Sequence, residues 1–153
     1  MPVDNPSANV EQPSAIRERH LLNIADAEFH AHARKRGRKL TGGANACGAT
    51  ASQYYLNLAA ITKAYTWAQD LVDKLLAANI CRRVSLAELA VGDLVVCVDL
   101  NGNGATDHVW HVSGLLPGTG AALALDNRAN LPYKRNLGKG RYTAAKYALR
   151  LTS

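Results

Sequence analysis

Apolar residues recur at helical spacing through the first half of the chain and at strand spacing through the second. After Pro13, Ser14 is a candidate N-cap, and Ile16, Leu21, Leu22, Ala25 and Phe29 keep a helical period until Gly37. Thr41 to Asn45 breaks that pattern. A second helix is predicted over 46–58 and a third over 62–78, where Trp67, Leu71 and Leu75 form one stripe and Trp67 reads as core.

Beyond this point the period changes. Ser85 and Glu88 have capping-box spacing, so a short helical turn is expected before Gly92-Asp93. Strands are predicted over 94–99, 108–115, 121–125 and 145–151, the first three separated by Gly/Asn/Asp or Pro/Gly turns. The basic, turn-rich stretch 133–141 reads as a loop over one end of the sheet. Helices first and an antiparallel sheet second make an α+β chain. Residues 1–13 are polar and proline-containing and read as a flexible tail; 14–153 read as one domain, a size that 153 residues allow.

Hydrophobic content is 48% and charged content 20%, the balance of a globular protein. Net charge is +6, and Arg34, Lys35, Arg36, Arg38 and Lys39 concentrate much of the excess. That cluster suits an anionic polymer or lipid, or is a solvated helix end with cations near its C-terminal dipole. No apolar stretch approaches a membrane span, and the N-terminal residues lack the cationic and apolar regions of a secretory signal. Work outside the cytoplasm would therefore need a secretion machine, lysis or release from a precursor.

The chain has three cysteines. Cys97 lies in an apolar run and reads as a core thiol; a Cys81–Cys97 bridge is possible, and Cys47 is left over either way. Cys47 stands where the loop GGANA runs into an alanine-rich helix. A thiol there sits in the positive end of the peptide dipoles, which favours the nucleophilic thiolate. Small Gly48 and Ala49 beside it would let a substrate approach closely.

Hydrolysis through a thiolate needs a proton shuttle, a group that holds the shuttle, and donors for the oxyanion. His108 and His111 compete as the base. Their odd separation on a strand puts them on opposite faces, so only one can meet Cys47 and they make no metal pair. His108, which opens the strand, is the first choice. The orienting group is expected at the end of the next strand, with Asp126 first and Asn127 close behind. The Cys47 backbone N–H is one oxyanion donor; Asn45 would add a side-chain donor or simply cap the helix. His20, His30 and His32 read as surface or packing histidines. The stretch from Asp99 to Asp107 matches the first nine positions of a calcium loop but has Trp110 at position twelve, and it equally makes a hairpin turn.

The segments CGATASQYYLNL, LAVGDLVVCVDLNGNGATDHVWHVSG and ALALDN together resemble the NlpC/CHAP group of papain-like peptidoglycan amidases and endopeptidases. The likeness runs from Asn45 to Asn127, with a further strand near the C-terminus; the first helix is not part of it. Trp110 stands where the family has a small or aliphatic residue, and Cys47 lacks the preceding acidic or aromatic residue. The resemblance implies a papain-like fold, with N-terminal helices packed on a small antiparallel sheet. It implies hydrolysis of an amide bond in cell-wall peptide by Cys47, His108 and Asp126 or Asn127, without cofactor or metal. Such a protein would be a lysin or an interbacterial effector, the latter with an immunity protein as partner in its producer. Two other classes fit the sequence: a papain-like toxin that deamidates or cleaves a host protein, and a non-enzymatic basic binding module. No helix-turn-helix, zinc ligand set or aromatic-rich strand signature points to nucleic acid.

Overall fold

The computed structural model describes residues 5–43, 45–98, 106–138 and 144–152. Among these, four α-helices precede and pack on a six-stranded antiparallel sheet, an α+β arrangement. The helices are α1 (Asn5–Ala25), α2 (Ala27–Thr41), α3 (Cys47–Asn57) and α4 (Ala68–Ala77). The strands are β1 (Cys81–Val84), β2 (Leu94–Val98), β3 (Thr106–Leu116), β4 (Ala121–Leu125), β5 (Tyr133–Asn136) and β6 (Ala144–Leu151), in the order β1-β6-β2-β3-β4-β5. No described helix is long and apolar enough to cross a membrane. The candidate calcium loop falls largely on residues 99–105, which lie outside the described residues; Thr106 and Asp107 already belong to β3.

The first helical region is two helices rather than one. Asp26 adopts extended geometry, and its carboxylate accepts the backbone N–H groups of Glu28 and Phe29, so it caps α2 and ends α1. Helix α1 itself begins upstream of Ser14. Gly37 does not stop α2. It sits inside the helix because α3 crosses there, and a Cβ on Gly37 would lie 2.5 Å from Thr50 Oγ1. The stop is Gly42, at φ 74°, whose N–H returns to the Arg38 carbonyl.

Helix α3 is the central helix. Every residue from Cys47 to Tyr55 is buried, which accounts for its small residues and for the absence of a polar face. Gly48 is small for a packing reason rather than to admit substrate, since a Cβ there would meet the Ala68 nitrogen at 2.9 Å. Ala49 is likewise fully buried.

Alternation along the strands gives the sheet two apolar faces. One carries Leu94, Val96, Val109, Leu125, Leu149 and Leu151 against the helices. The other carries Val95, Cys97, Trp110, Val112, Ala122 and Ala124 and has its own core. The sheet curls around this second core until the Ala145 N–H of β6 meets the Leu137 carbonyl just beyond β5. Trp110, 1% exposed, fills the curl. The stretch expected as a loop from 133 therefore begins as a strand, and β1 was not foreseen. All three cysteines are free, with Cys81 in the helix-side core and Cys97 in the other, so the bridge considered between them does not form. The turn at Gly92-Asp93 is fixed by a two-pronged pair between Arg150 and the buried Asp93, with both Nε–Oδ1 and Nη2–Oδ2 at 2.9 Å.

Candidate active site

Cys47 is the first residue of α3, and no side chain caps that helix: Ala46 occupies the N-cap. The first N–H groups of a helix have no intrahelical acceptor, and that of Gly48 acts on the sulfur. Asn45, expected as cap or oxyanion donor, is exposed at φ 51° in the loop before the helix and does not cap it. It does line the cleft in which Cys47 opens.

Strand β3 brings His108 to Cys47. The Cys47 sulfur lies 4.0 Å from the Asp107 carbonyl, and the adjoining His108 ring is near enough to lower the thiol. His108 Nε2 is 2.8 Å from Asp126 Oδ2, so Nδ1 is the ring nitrogen not committed to the carboxylate. Asp126 follows the last residue of β4, on the neighbouring strand. Sulfur, imidazole and carboxylate thus come from a helix start, a strand and the end of the next strand.

The carboxylate is heavily committed. Asp126 Oδ2 also accepts from the Tyr133 hydroxyl and from Arg135 Nη1 at 3.1 Å, and Oδ1 accepts the Arg128 N–H at 2.9 Å. Burial pushes the Asp126 carboxyl up, but the hydrogen bonds from His108, Tyr133 and Arg128 outweigh it and bring it down to about 2. Asp126 is therefore ionised at any physiological pH. Burial disfavours a charged His108, yet its bonds to Asp126 and Cys47 raise it above the ordinary imidazole value. Burial likewise disfavours a thiolate at Cys47; the bonds and charge of His108, with the Val109 and Gly48 N–H groups, overcome this and lower the thiol. A lowered thiol beside a raised imidazole favours a thiolate–imidazolium pair. Cys81 and Cys97 behave oppositely, pushed up by burial to about 12 and about 11.

The other histidines are elsewhere. His111 lies on the helix side of β3, fully buried, with Nε2 3.0 Å from the Tyr55 hydroxyl. Its ring packs with His20, Tyr54 and Tyr55. His20 Nε2 bonds the Gly92 carbonyl at 2.8 Å. Asn127 does not reach His108: its Oδ1 is buried without a hydrogen-bond partner, and its carbonyl accepts from Arg34 Nε at 2.9 Å.

The cleft over Cys47 has a volume of about 380 Å³ and is walled by Asn45, Thr66, Trp67, Gln69, Asn127 and Arg128, among others. Trp67 is 66% exposed rather than core. Helix α4 begins only at Ala68, so Trp67 has an extended backbone, and the helical stripe that would have buried it does not include it. It also borders a second depression beside Leu40 and Thr41. Gln69 accepts the Thr106 N–H through Oε1 and so pins the start of β3 to the start of α4.

Sequence reasoning missed Tyr133, Arg135, His30 and Arg34. The first two alternate on β5, so their spacing could have revealed a strand face. The latter two lie on α2, one turn apart. Comparison with protein-family models, curated proteins and solved structures finds no match.

Proposed function

We propose that this chain is a papain-like cysteine hydrolase of the NlpC/CHAP kind, cleaving an amide bond in bacterial peptidoglycan peptide. The observation that carries the reading is the line Cys47–His108–Asp126, with the thiol lowered and the imidazole raised at the floor of an open cleft. The peptidoglycan assignment rests on the motif resemblance around these residues, together with a net positive charge that suits carboxylate-bearing stem peptides.

The Cys47 thiolate attacks the carbonyl carbon, and the oxyanion is received by the uncapped N–H groups at the start of α3, with Asn45 beside them. His108 gives its Nδ1 proton to the departing amine nitrogen as the C–N bond breaks, leaving a thioester on Cys47. Water then loses a proton to His108 and attacks the thioester; the C–S bond breaks, the carboxylic acid leaves and gives its proton to solvent, and Cys47 thiolate and His108 imidazolium are restored. Asp126 holds the ring and stabilises its charged form throughout. Trp67 forms a wall against which the substrate chain lies. Such a substrate is outside the cytoplasm, and a cell that injects the protein as an effector would keep an immunity protein.

Mass spectrometry of purified peptidoglycan digested by the wild type and by Cys47→Ala tests the proposal. New amine and carboxylate ends should appear with the wild type only. Intact wall after wild-type treatment, or identical products from Cys47→Ala, would sink it.

A further inference from the structure

Helix α2 lies outside the segment that carries the family resemblance, yet it holds the turn after β4. His30 Nε2 is 2.9 Å from the Asp126 carbonyl and 3.1 Å from that of Ala129. One helical turn on, Arg34 Nε donates to the Asn127 carbonyl at 2.9 Å, and Nη1 donates to Asn130 Oδ1 at 2.5 Å. Residues spaced by four share a helix face, so one face of α2 grips the backbone from Asp126 to Asn130 at several points.

The grip also reaches the nucleophile. His30 Nδ1 is 2.7 Å from the Tyr54 hydroxyl, and Tyr54 stands on α3, the helix that opens with Cys47. Two carbonyls at Nε2 require that nitrogen to carry the proton. Nδ1 is then the acceptor, and the Tyr54 hydroxyl is the donor. His30 is fully buried, so these bonds have no competition from water and the ring has one orientation. The nucleophile's helix and the orienting carboxylate's turn, far apart in sequence, are therefore joined through one imidazole.

Resting on the Cys47–His108–Asp126 reading above, we infer that His30 and Arg34 are positioning residues that set the carboxylate of Asp126 against His108. Neither touches substrate. Their effect runs through the backbone of the turn to Asp126 Oδ2, and from there through His108 to the charge state of Cys47.

The test is the pH dependence of Cys47 alkylation by iodoacetamide, read by peptide mass spectrometry, together with kcat and KM on peptidoglycan. The proteins are the wild type, His30→Ala, His30→Gln, Arg34→Ala and, as a control, His32→Ala from the exposed side of α2. In His30→Ala and Arg34→Ala the alkylation inflection should rise toward that of an ordinary thiol. Their kcat should fall roughly 10- to 100-fold with little change in KM. His30→Gln, whose amide can still donate to the turn, should recover much of both, and His32→Ala should match the wild type. If His30→Ala and Arg34→Ala melt cooperatively and keep the wild-type inflection and kcat, the positioning role is wrong while the catalytic reading stands. Should His30→Ala fail to fold, Arg34→Ala decides alone, because that side chain is only partly buried. An ordinary inflection in the wild type itself would overturn the ion pair, and the positioning role with it.

Discussion

His108 and His111 share one strand but face opposite sides of the sheet, the first toward Asp126 and the second toward Tyr55. Their losses should differ in kind. Replacing His108 by Ala should lower kcat/KM on muropeptides by about 10²–10⁴-fold, the usual worth of a general acid–base group, and leave the fold intact. The change His111→Ala removes a fully buried ring and leaves the Tyr55 hydroxyl without that partner. It should cost about 2–4 kcal/mol of stability while sparing the thiol's reactivity. Urea midpoints and steady-state kinetics on both variants check this, and an inactive but stable His111→Ala would reverse the assignment.

The pair also fixes a pH window. Cys47 is lowered and His108 raised; both shifts favour a thiolate–imidazolium form, whose two apparent values belong to the pair rather than to either residue. Hydrolysis should follow a bell. Its acid limb marks protonation of the thiolate, and its alkaline limb marks loss of the imidazolium proton. A rate that simply climbs with pH up to the range of a free thiol would show that no pair forms.

Asp126 carries a prediction for charge rather than shape. In Asp126→Asn an amide can still orient the ring but cannot balance its positive charge, and the contact with Arg135, at 3.1 Å, is no longer an ion pair. The alkylation inflection of Cys47 should rise, and kcat should fall by about 10²-fold or more. Truncation to Ala should also destabilise by about 1–3 kcal/mol, because the Tyr133 hydroxyl and the Arg128 N–H lose their shared acceptor. Thermal or urea unfolding beside the kinetics separates these effects.

Acid should weaken the fold. His20, His30 and His111 are all lowered, chiefly by burial, and so stay neutral when folded. Below about pH 6.5 the unfolded chain takes up protons that these rings refuse, and stability falls as pH drops. His108 has the opposite sign: it is raised, and its contribution is present in acid and lost as pH rises through its folded value. Three rings against one predict a net loss between pH 7.5 and 5. A flat or rising urea midpoint over that range would contradict it.

Trp67 should matter to binding alone. It is exposed at the start of α4, beside Cys47 but outside the proton path. Trp67→Ala should raise KM for peptidoglycan fragments several-fold and leave kcat, iodoacetamide reactivity and melting unchanged. A fall in kcat with KM intact would argue against a wall for substrate.

Much of this was readable along the chain, and the exceptions have physical causes. Strand β4 matches its apolar run because Ala121–Leu125 is bounded by turns on both sides. The helix start at Cys47 followed from the small-residue loop before it. Strand β1 escaped notice because Arg82 and Arg83 point to solvent and only Cys81 and Val84 are buried, too few positions to set a period. Strand β5, Tyr-Lys-Arg-Asn, has no apolar run, since Tyr133 alone packs on the second core while its hydroxyl serves a carboxylate. The break at Asp26 lay in a cap, which a count of apolar positions does not see. Trp67 was misread because the helix expected from 62 starts only at Ala68, so its stripe does not reach Trp67. His30 left no local trace: at Nε2 its partners are two carbonyls nearly a hundred positions away, and backbone acceptors carry no sequence signature.

The two sheet faces also decide what oxidants and electrophiles find. Cys81 and Cys97 are sealed on opposite sides with their thiols held protonated, and neither can come to the other. A mild alkylating agent at neutral pH should therefore add one group per folded chain, at Cys47, and unfolding should release the other two sites. The protein carries its own count of how much of a preparation is folded and armed.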